Sequence, residues 1–322
     1  MRDKKIYVTT IGELVADFSL TGVTGSKYPI YTQNPGGGPA NVAVCIARLG
    51  GISAFLGKVS NDAIGCSLKS ALQSEGVICS GVVMDAAYQT MLAFIQTDSN
   101  GERSFTFYSD RPADLQLCAS DLKQDLIAQS RFIAYGGRNV STQTMRATID
   151  AAEDTAHKNT TAIAFDPNIR LNAWPDSDTA KKILLHYIQK CNCLKISDDE
   201  LYFLTGEPDT DKAAKMLFHP DMFLLSVTKG ERGADIYTDD FKISHPGYSV
   251  RSIDTTGAGD TYFGSLLYCL SQSGETIPCQ SEAEAILDFC CACGAMATTA
   301  QGAIAAMPTL SSVQAFLAQN RR

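Results

Sequence analysis

Residues 254 to 270, DTTGAGDTYFGSLLYCL, set one carboxylate, Asp260, behind a run of small residues and at the mouth of an apolar segment. Gly257 and Gly259, with Ala258 between them, permit a tight turn and close approach of a ligand. The periodicity that follows is helical, so the turn presents free N–H groups at a helix N-terminus, which favours an anion. An aspartate in that first turn can be an N-cap and nothing more. It can also take the proton of a hydroxyl that attacks a phosphoryl group held by the same N–H groups. These residues alone leave both readings open. No G-x-x-x-x-G-K-[ST] loop, G-x-G-x-x-G turn, protein-kinase signature or H-E-x-x-H helix occurs, which removes several nucleotide and metal families.

The elements that must position Asp260 alternate along the chain. KIYVTTIGE is strand-like and GPANVAVCIARLGG helical; SAFLGKVS is again strand-like and DAIGCSLKSALQSEG helical. Later apolar runs, RFIAYGG, TAIAFDPN, CLKIS and MFLLSVTKG, are followed by amphipathic stretches such as MRATIDAAEDTAHK and DDELYFL. Such alternation predicts a mostly parallel sheet covered on both faces. Polar residues and glycines collect where the strands end, at Glu13, Lys58, Gly136-Gly137, Asp166 to Asn168, Ser197 to Glu200 and Thr228 to Gly230. Open α/β sheets bind ligands at those carboxyl ends, so a cleft along that edge is expected. Two segments break the pattern, at about 14–34 and about 88–112. The second predicts a hairpin turning at Ser99-Asn100-Gly101, and together they suggest a small sheet over the cleft.

The 322 residues are 45% hydrophobic, with a formal net charge of −8. That is enough for one large α/β domain or two medium ones, with no linker run to divide 1–322, and it gives no footprint for nucleic acid or an anionic membrane. No run approaches a membrane span, and the N-terminal stretch has no signal-peptide core. Eleven cysteines, an odd number in mostly apolar surroundings, read as buried free thiols. CNC and CCAC lack paired zinc spacing, and a reducing cytoplasm is the simplest compartment.

DTTGAGDTYFGSLL resembles the C-terminal signature of the ribokinase-like (PfkB) carbohydrate kinases, and GGGPANVAVCIARLGG, residues 36–51, their N-terminal signature. Between them GELVADF, LGKVSNDAIG, DPNIRLNAWP, KISDDELYFLTG and LLSVTKGERGADIYT resemble the fructokinase branch in order and spacing. The tail CGAMATTAQGAIAAMPT continues the likeness, which spans residues 6 to 310. The resemblance implies a three-layer α/β sandwich with a β-sheet lid, and it assigns roles by position. Asp260 corresponds to the catalytic base, and the N–H groups from Gly257 through Ala258 and Gly259 to Asp260 to an anion hole. Asp17, Gly37, Gly38 and Asn41 correspond to sugar contacts, Asn168 and Arg170 to sugar- and phosphate-side contacts. Thr228, Gly230 and Gly233 correspond to part of the ATP site. Glu200 corresponds to a magnesium contact through water, and Asp254 and Thr256, with the loop near Gly302, to a site for a monovalent cation such as K⁺.

The family's N-x-x-E motif reads S-D-D-E here, a change the fructokinase branch shares. Where that branch carries an arginine after FY, this chain has Ser109, with Arg111 two residues on as the candidate lid contact. FIAYGGRNV also lacks the branch's serine-rich ending and brings in Arg138. The expected function is transfer of the γ-phosphate of ATP, with Mg²⁺, to a sugar's primary hydroxyl. Fructose is preferred, with 2-keto-3-deoxygluconate, another ketose or a nucleoside as alternative acceptors. A non-catalytic binding protein on the same fold is a further alternative, disfavoured by the intact GAGD. A nicotinamide dehydrogenase fails because the first strand leads to GELVADF without the dinucleotide glycines. Apolar lid residues Phe18, Tyr28, Met91, Phe94 and Phe105, with the family habit of lid-to-lid pairing, suggest a homodimer.

Overall fold

The strands of the main sheet are short and buried on both faces, which is why they read as unbroken apolar runs. All seven residues of Ser53–Val59 are buried. The computed structural model describes residues 4–97, 103–273 and 278–320. The strands are β1 (Ile6–Ile11), β2 (Val15–Val23), β3 (Pro29–Gly36), β4 (Ser53–Val59), β5 (Ile78–Met84), β6 (Leu92–Thr97), β7 (Arg103–Tyr108), β8 (Ser130–Gly136), β9 (Ala162–Asp166), β10 (Cys193–Ser197), β11 (Leu224–Thr228), β12 (Ala234–Tyr237) and β13 (Lys242–His245). The helices are α1 (Gly38–Arg48), α2 (Ala63–Ser74), α3 (Gln124–Ala128), α4 (Gln143–Lys158), α5 (Ser177–Ile188), α6 (Asp198–Thr205), α7 (Thr210–Leu217), α8 (Ala258–Gln272), α9 (Gln280–Ala297), α10 (Ala303–Ala306) and α11 (Leu310–Gln319).

Nine strands form one sheet in the order β13-β12-β11-β10-β9-β8-β1-β4-β5. From β11 to β5 every pairing is parallel, and β12 and β13 add an antiparallel edge. Helices cover both faces. One core lies under α1, α8 and α9, with Val44, Phe263 and Leu287 among its buried residues. The other lies under α4 to α7, with Ile149, Leu184 and Leu204. The architecture is the expected three-layer sandwich. The chain leaves β1 toward β4 on one side and later returns to β8 on the other. The two directions part between β1 and β8, and that switch point is where a crevice opens at the strand ends.

A second sheet of four strands has the order β3-β2-β6-β7. Its register sorts side chains to two faces. Phe18 pairs with Phe94, Leu20 with Tyr31, and Leu92 with Tyr108. Those residues share one face, where Phe18 and Phe94 stack at 5.0 Å between ring centroids and Tyr31 and Tyr108 meet Phe94 edge-on. Asp17, Ala93 and Phe107 fall on the other face. The turn assigned to Ser99-Asn100-Gly101 lies outside the described residues, as does the side chain of Phe105.

The C-terminal segments are clamped to α1. Arg48 meets Glu75 through two nitrogens at 2.7 Å and donates to the carbonyls of Ile304 and Met307 at 2.6 and 2.9 Å. All eleven cysteines are free thiols, but not all are buried as expected, since Cys66 and Cys279 are exposed and Cys118 and Cys269 half-buried. Among the described residues no helix is long and apolar enough to cross a membrane.

Candidate active site

The crevice at the switch point is a cavity of about 730 Å³ between the main sheet and the small one. Two helix N-termini open into it, and they differ in how their free N–H groups are met. At α1, Gly37 adopts φ 108°, a conformation that favours glycine, because the carbonyl of Glu13 lies where a side chain would go. Glu13 then turns its carboxylate back and accepts from Gly38 N at 3.2 Å. Its other oxygen accepts from Asn139 Nδ2 at 2.8 Å, and Asn139 Oδ1 accepts from Gly136 N at 2.9 Å. A buried carboxylate therefore already occupies the positive end of α1. Burial pushes Glu13 above the usual carboxylate range, while Arg138 and Asn139 pull it back.

The start of α8 carries no such cap. Gly257 holds φ 77°, packed against Ala303, and among the described residues no side chain makes a cap hydrogen bond there. Ala258 N donates to Thr255 O at 3.2 Å, and Thr261 N to Gly257 O at 2.8 Å. Helix geometry leaves the N–H groups of Gly259 and Asp260 without an intrahelical acceptor. An uncapped start on a 15-residue helix, opening into a polar cavity, is a place for an anion from solution.

Asp260 does not act as an N-cap. It lies in the first turn, and its Oδ2 accepts from Asn41 Nδ2 of α1 at 2.8 Å. Burial raises its carboxyl above the ordinary range; the Asn41 amide, the Lys195 ammonium and Arg170 oppose that rise. A carboxylate so raised is a stronger base in its ionised form. Asn41 is itself buried, and among the described residues its Oδ1 has no partner.

The cavity lining brings together Asp17, Gly37, Gly38, Asn41, Asn168, Arg170, Thr256, Gly257, Gly259 and Asp260 of the residues expected from sequence. Asp17 reaches it from β2, its carboxylate lying where a side chain on Gly36 would be. Asn168 adopts φ 38°, a conformation asparagine tolerates, with its N–H donating to Asp166 Oδ1 at 3.1 Å. A Cβ on Gly38 would lie 3.2 Å from Asn168 Nδ2 and 3.5 Å from Asp260 Oδ1, so these groups crowd one point.

Other expected residues lie elsewhere. Arg111 is exposed, its guanidinium over the Tyr88 ring at 5.0 Å, and it does not line the cavity. Thr228, Gly230 and Gly233 sit beyond β11, outside the same lining. Gly233 has a packing reason to be glycine, since a Cβ would fall 1.9 Å from His245 O. Glu200 completes a capping box on α6, accepting from Ser197 N at 3.0 Å, and it also takes Ile169 N at 2.6 Å. Asp254 accepts from Thr256 N and from Gly302 N, both at 2.8 Å, tying the loop before α8 to the loop before α10. Among the described residues, no group of three or more His, Cys, Asp or Glu side chains is set to hold a metal directly.

The site also holds Lys195, which no motif marked, with Glu13 and Asp166, expected only as polar strand ends, and Arg138, noted only as a departure from the fructokinase pattern. Lys195 and Asp166 form an ion pair at 2.9 Å, each side chain 7% exposed, on the cavity floor. Glu13 and Arg138 line the same space, and Arg138 holds buried Asp114 through Nε and Nη2 at 3.0 and 2.9 Å. Their signal was a charge inside an apolar strand, as in CLKIS and AIAFD, or at a strand end.

Such a site can hold an anion beside a base and surround a polyol with acceptors and donors. Residues 5–310 match the pfkB family carbohydrate kinase, and the chain belongs to that family. It is 38% identical over 313 residues to fructokinase-2 of Solanum lycopersicum, across 96% of this chain and 95% of that protein. The fructokinase of Xylella fastidiosa with bound ATP superposes with a TM-score of 0.90 at 27% identity, covering 98% of this chain and 99% of that one. A fructokinase double mutant from Vibrio cholerae O395, solved with fructose, ADP and potassium ion, gives 0.86 at 32% identity over 98% and 99%.

Asp17 yields a test of the site's electrostatics. Burial pushes its carboxyl up to about 7, so the folded state favours the protonated form. That contribution to stability is full below the unfolded carboxylate range and is lost as pH rises through 7. Asp17→Asn, uncharged throughout, should melt above the parent at pH 8, with the gain shrinking toward pH 5. Thermal melts at the two pH values decide it; equal Tm at pH 8 would mean that burial does not strain this carboxylate.

Proposed function

We propose that the protein is an ATP-dependent fructokinase that transfers the γ-phosphate of ATP to the primary 6-hydroxyl of fructose. The observation that carries this reading is Asp260, a base in the first turn of an uncapped helix, inside a cavity rich in sugar-binding groups. The relatives named above are fructokinases, one with ATP and one with fructose and ADP.

In this mechanism the sugar lies between the two sheets. Asp17, Asn41, Asn168 and the backbone at Gly37 and Gly38 meet its hydroxyls; carboxylate and amide groups satisfy several at once. The γ-phosphate rests on the N–H groups of Gly259 and Asp260, which receive the charge that develops on its oxygens. Asp260 takes the proton as the sugar oxygen attacks in line. Arg170, at the cavity edge, offsets phosphate charge. The nucleotide runs along the strand ends toward Thr228, Gly230 and Gly233. The small sheet acts as a lid, bringing Asp17 and Phe107 over the sugar and excluding water that would otherwise hydrolyse ATP. Arg111, parked on Tyr88, joins the sugar only if that lid closes.

Mg²⁺, when bound, would offset phosphate charge. Glu200 suits the water-mediated contact, since both its oxygens already accept backbone N–H groups and each retains a lone pair. A monovalent cation such as K⁺ would draw on Asp254, whose carboxylate joins Thr256 to the Gly302 loop by accepting a backbone N–H from each. It would stiffen the turn that shapes the anion site.

The aromatic face of the lid leaves Leu20 56% and Tyr108 58% exposed, with Tyr31 beside them. Apolar surface of that kind suits a second copy, and we assign the protein as a homodimer through the lid. Eleven unpaired thiols suit the reducing cytoplasm.

ADP release with ATP, Mg²⁺ and K⁺ should be strongest with fructose in a panel that includes ribose, tagatose, 2-keto-3-deoxygluconate and adenosine. Selective turnover of another acceptor would move the specificity and point to Arg138 and Ser109; no turnover with any acceptor would remove the kinase reading. Asp260→Asn should lose about 10²-fold or more in kcat while keeping nucleotide affinity. Near-normal turnover in that variant would dismiss Asp260 as the base.

A further inference from the structure

Lys195 is a cation that the mechanism above leaves unused. It stands in β10 between Leu194 and Ile196, both fully buried, and its ammonium reaches the cavity floor. An ammonium carries three donors. Asp166 Oδ2 takes one at 2.9 Å, and among the described residues no other acceptor takes the remaining two. Burial disfavours the charge, but the facing carboxylates of Asp166, Glu200 and Asp260 more than offset it, so the lysine stays protonated. A buried ion pair is a weak source of stability, since desolvation consumes most of the Coulombic gain. The pair therefore calls for another explanation.

Gly259 supplies it. Unlike Gly257, this residue has ordinary helical backbone that any side chain could adopt. A Cβ there would lie 3.2 Å from Lys195 Nζ, with only Lys195 atoms within 4 Å. The glycine thus keeps clear the gap between the ammonium and the first turn of α8. An anion resting on the N–H of Gly259 would have Lys195 beside it.

We propose that Lys195 is a catalytic residue that donates to a non-bridging oxygen of the transferring phosphoryl group, with Asp166 as the positioning residue that aims it. This rests on the kinase reading above. In the step, the bond from the sugar oxygen to phosphorus forms as the bond to the β–γ bridging oxygen breaks. ADP leaves with that electron pair, and the sugar proton goes to Asp260. Lys195 keeps its own proton throughout and offsets charge on the phosphoryl oxygens, where a fixed cation in a dry site acts most strongly. The lysine thereby supplies, from a strand, the cation that P-loop enzymes place in the loop itself.

The test compares the full-length parent with Lys195→Met, Asp166→Asn, the double variant and Gly259→Ala, using fructose, ATP and Mg²⁺. The double variant leaves no unpaired buried charge, so it should fold and bind ADP as the parent does. Its kcat should nevertheless fall by about 10²- to 10³-fold, with KM for fructose changed less than about threefold. Asp166→Asn alone, which keeps the cation, should lose less. Gly259→Ala pushes the ammonium from the nest without unpairing it, and should lower kcat by about tenfold. A double variant within about threefold of the parent would overturn the proposal, because Lys195 would then only balance Asp166. Should the double variant not fold, an unchanged kcat in Gly259→Ala overturns it equally. A parent inactive on every acceptor would mean that the kinase reading had failed first.

Discussion

The hydrogen bond from Asn41 to Asp260 joins the two helices on which the site depends. It forms because α1 and α8 pack closely over the same strands. Gly264 permits that approach, since a Cβ there would lie 2.8 Å from Cys45 Cβ, and the Cys45 thiol faces the carbonyl of Thr261 at 3.4 Å. Drawn together this way, both N-termini open on one crevice at the sheet's switch point. Moving either helix would part Asp260 from the groups around it.

Charge then divides the two helix ends between different tasks. Glu13 neutralises α1 from within, through a network that includes Asn139 and Gly136 and runs beside the Arg138–Asp114 pair. The start of α8 stays open, and Lys195 adds positive charge beneath it. Such buried polar groups add little to stability and are expensive to leave partly satisfied. Their concentration around one cavity fits preorganisation of a site, where fixed dipoles need not reorient during the reaction. Asp17 and Asp166, pushed up to about 7 and about 6 by burial, record the same strain.

Much of this was legible in the sequence because local chemistry dictated it. The alternation of buried runs and amphipathic stretches foretold the covered parallel sheet, and GAGD before an apolar helix marked the uncapped start of α8. Asn41 was assigned by resemblance to the sugar, and no local pattern showed that a residue 219 positions away would receive its amide. Lys195 and Asp166 pair across neighbouring strands, a contact created by sheet order alone. The position of Arg111 on Tyr88 likewise follows from how the Tyr88 and Arg111 segments come together, which spacing does not encode. Glu200 was assigned by resemblance to a magnesium contact through water, whereas its place in the capping box of α6 came from the structure.

The most direct measurement is a structure of the ternary complex with fructose and a non-hydrolysable ATP analogue. The 6-hydroxyl should lie within hydrogen-bonding distance of Asp260, about 2.6–3.2 Å between heavy atoms, with the γ-phosphate on the N–H groups of Gly259 and Asp260. A hydroxyl turned away from Asp260, or a γ-phosphate seated elsewhere than the start of α8, would contradict that arrangement.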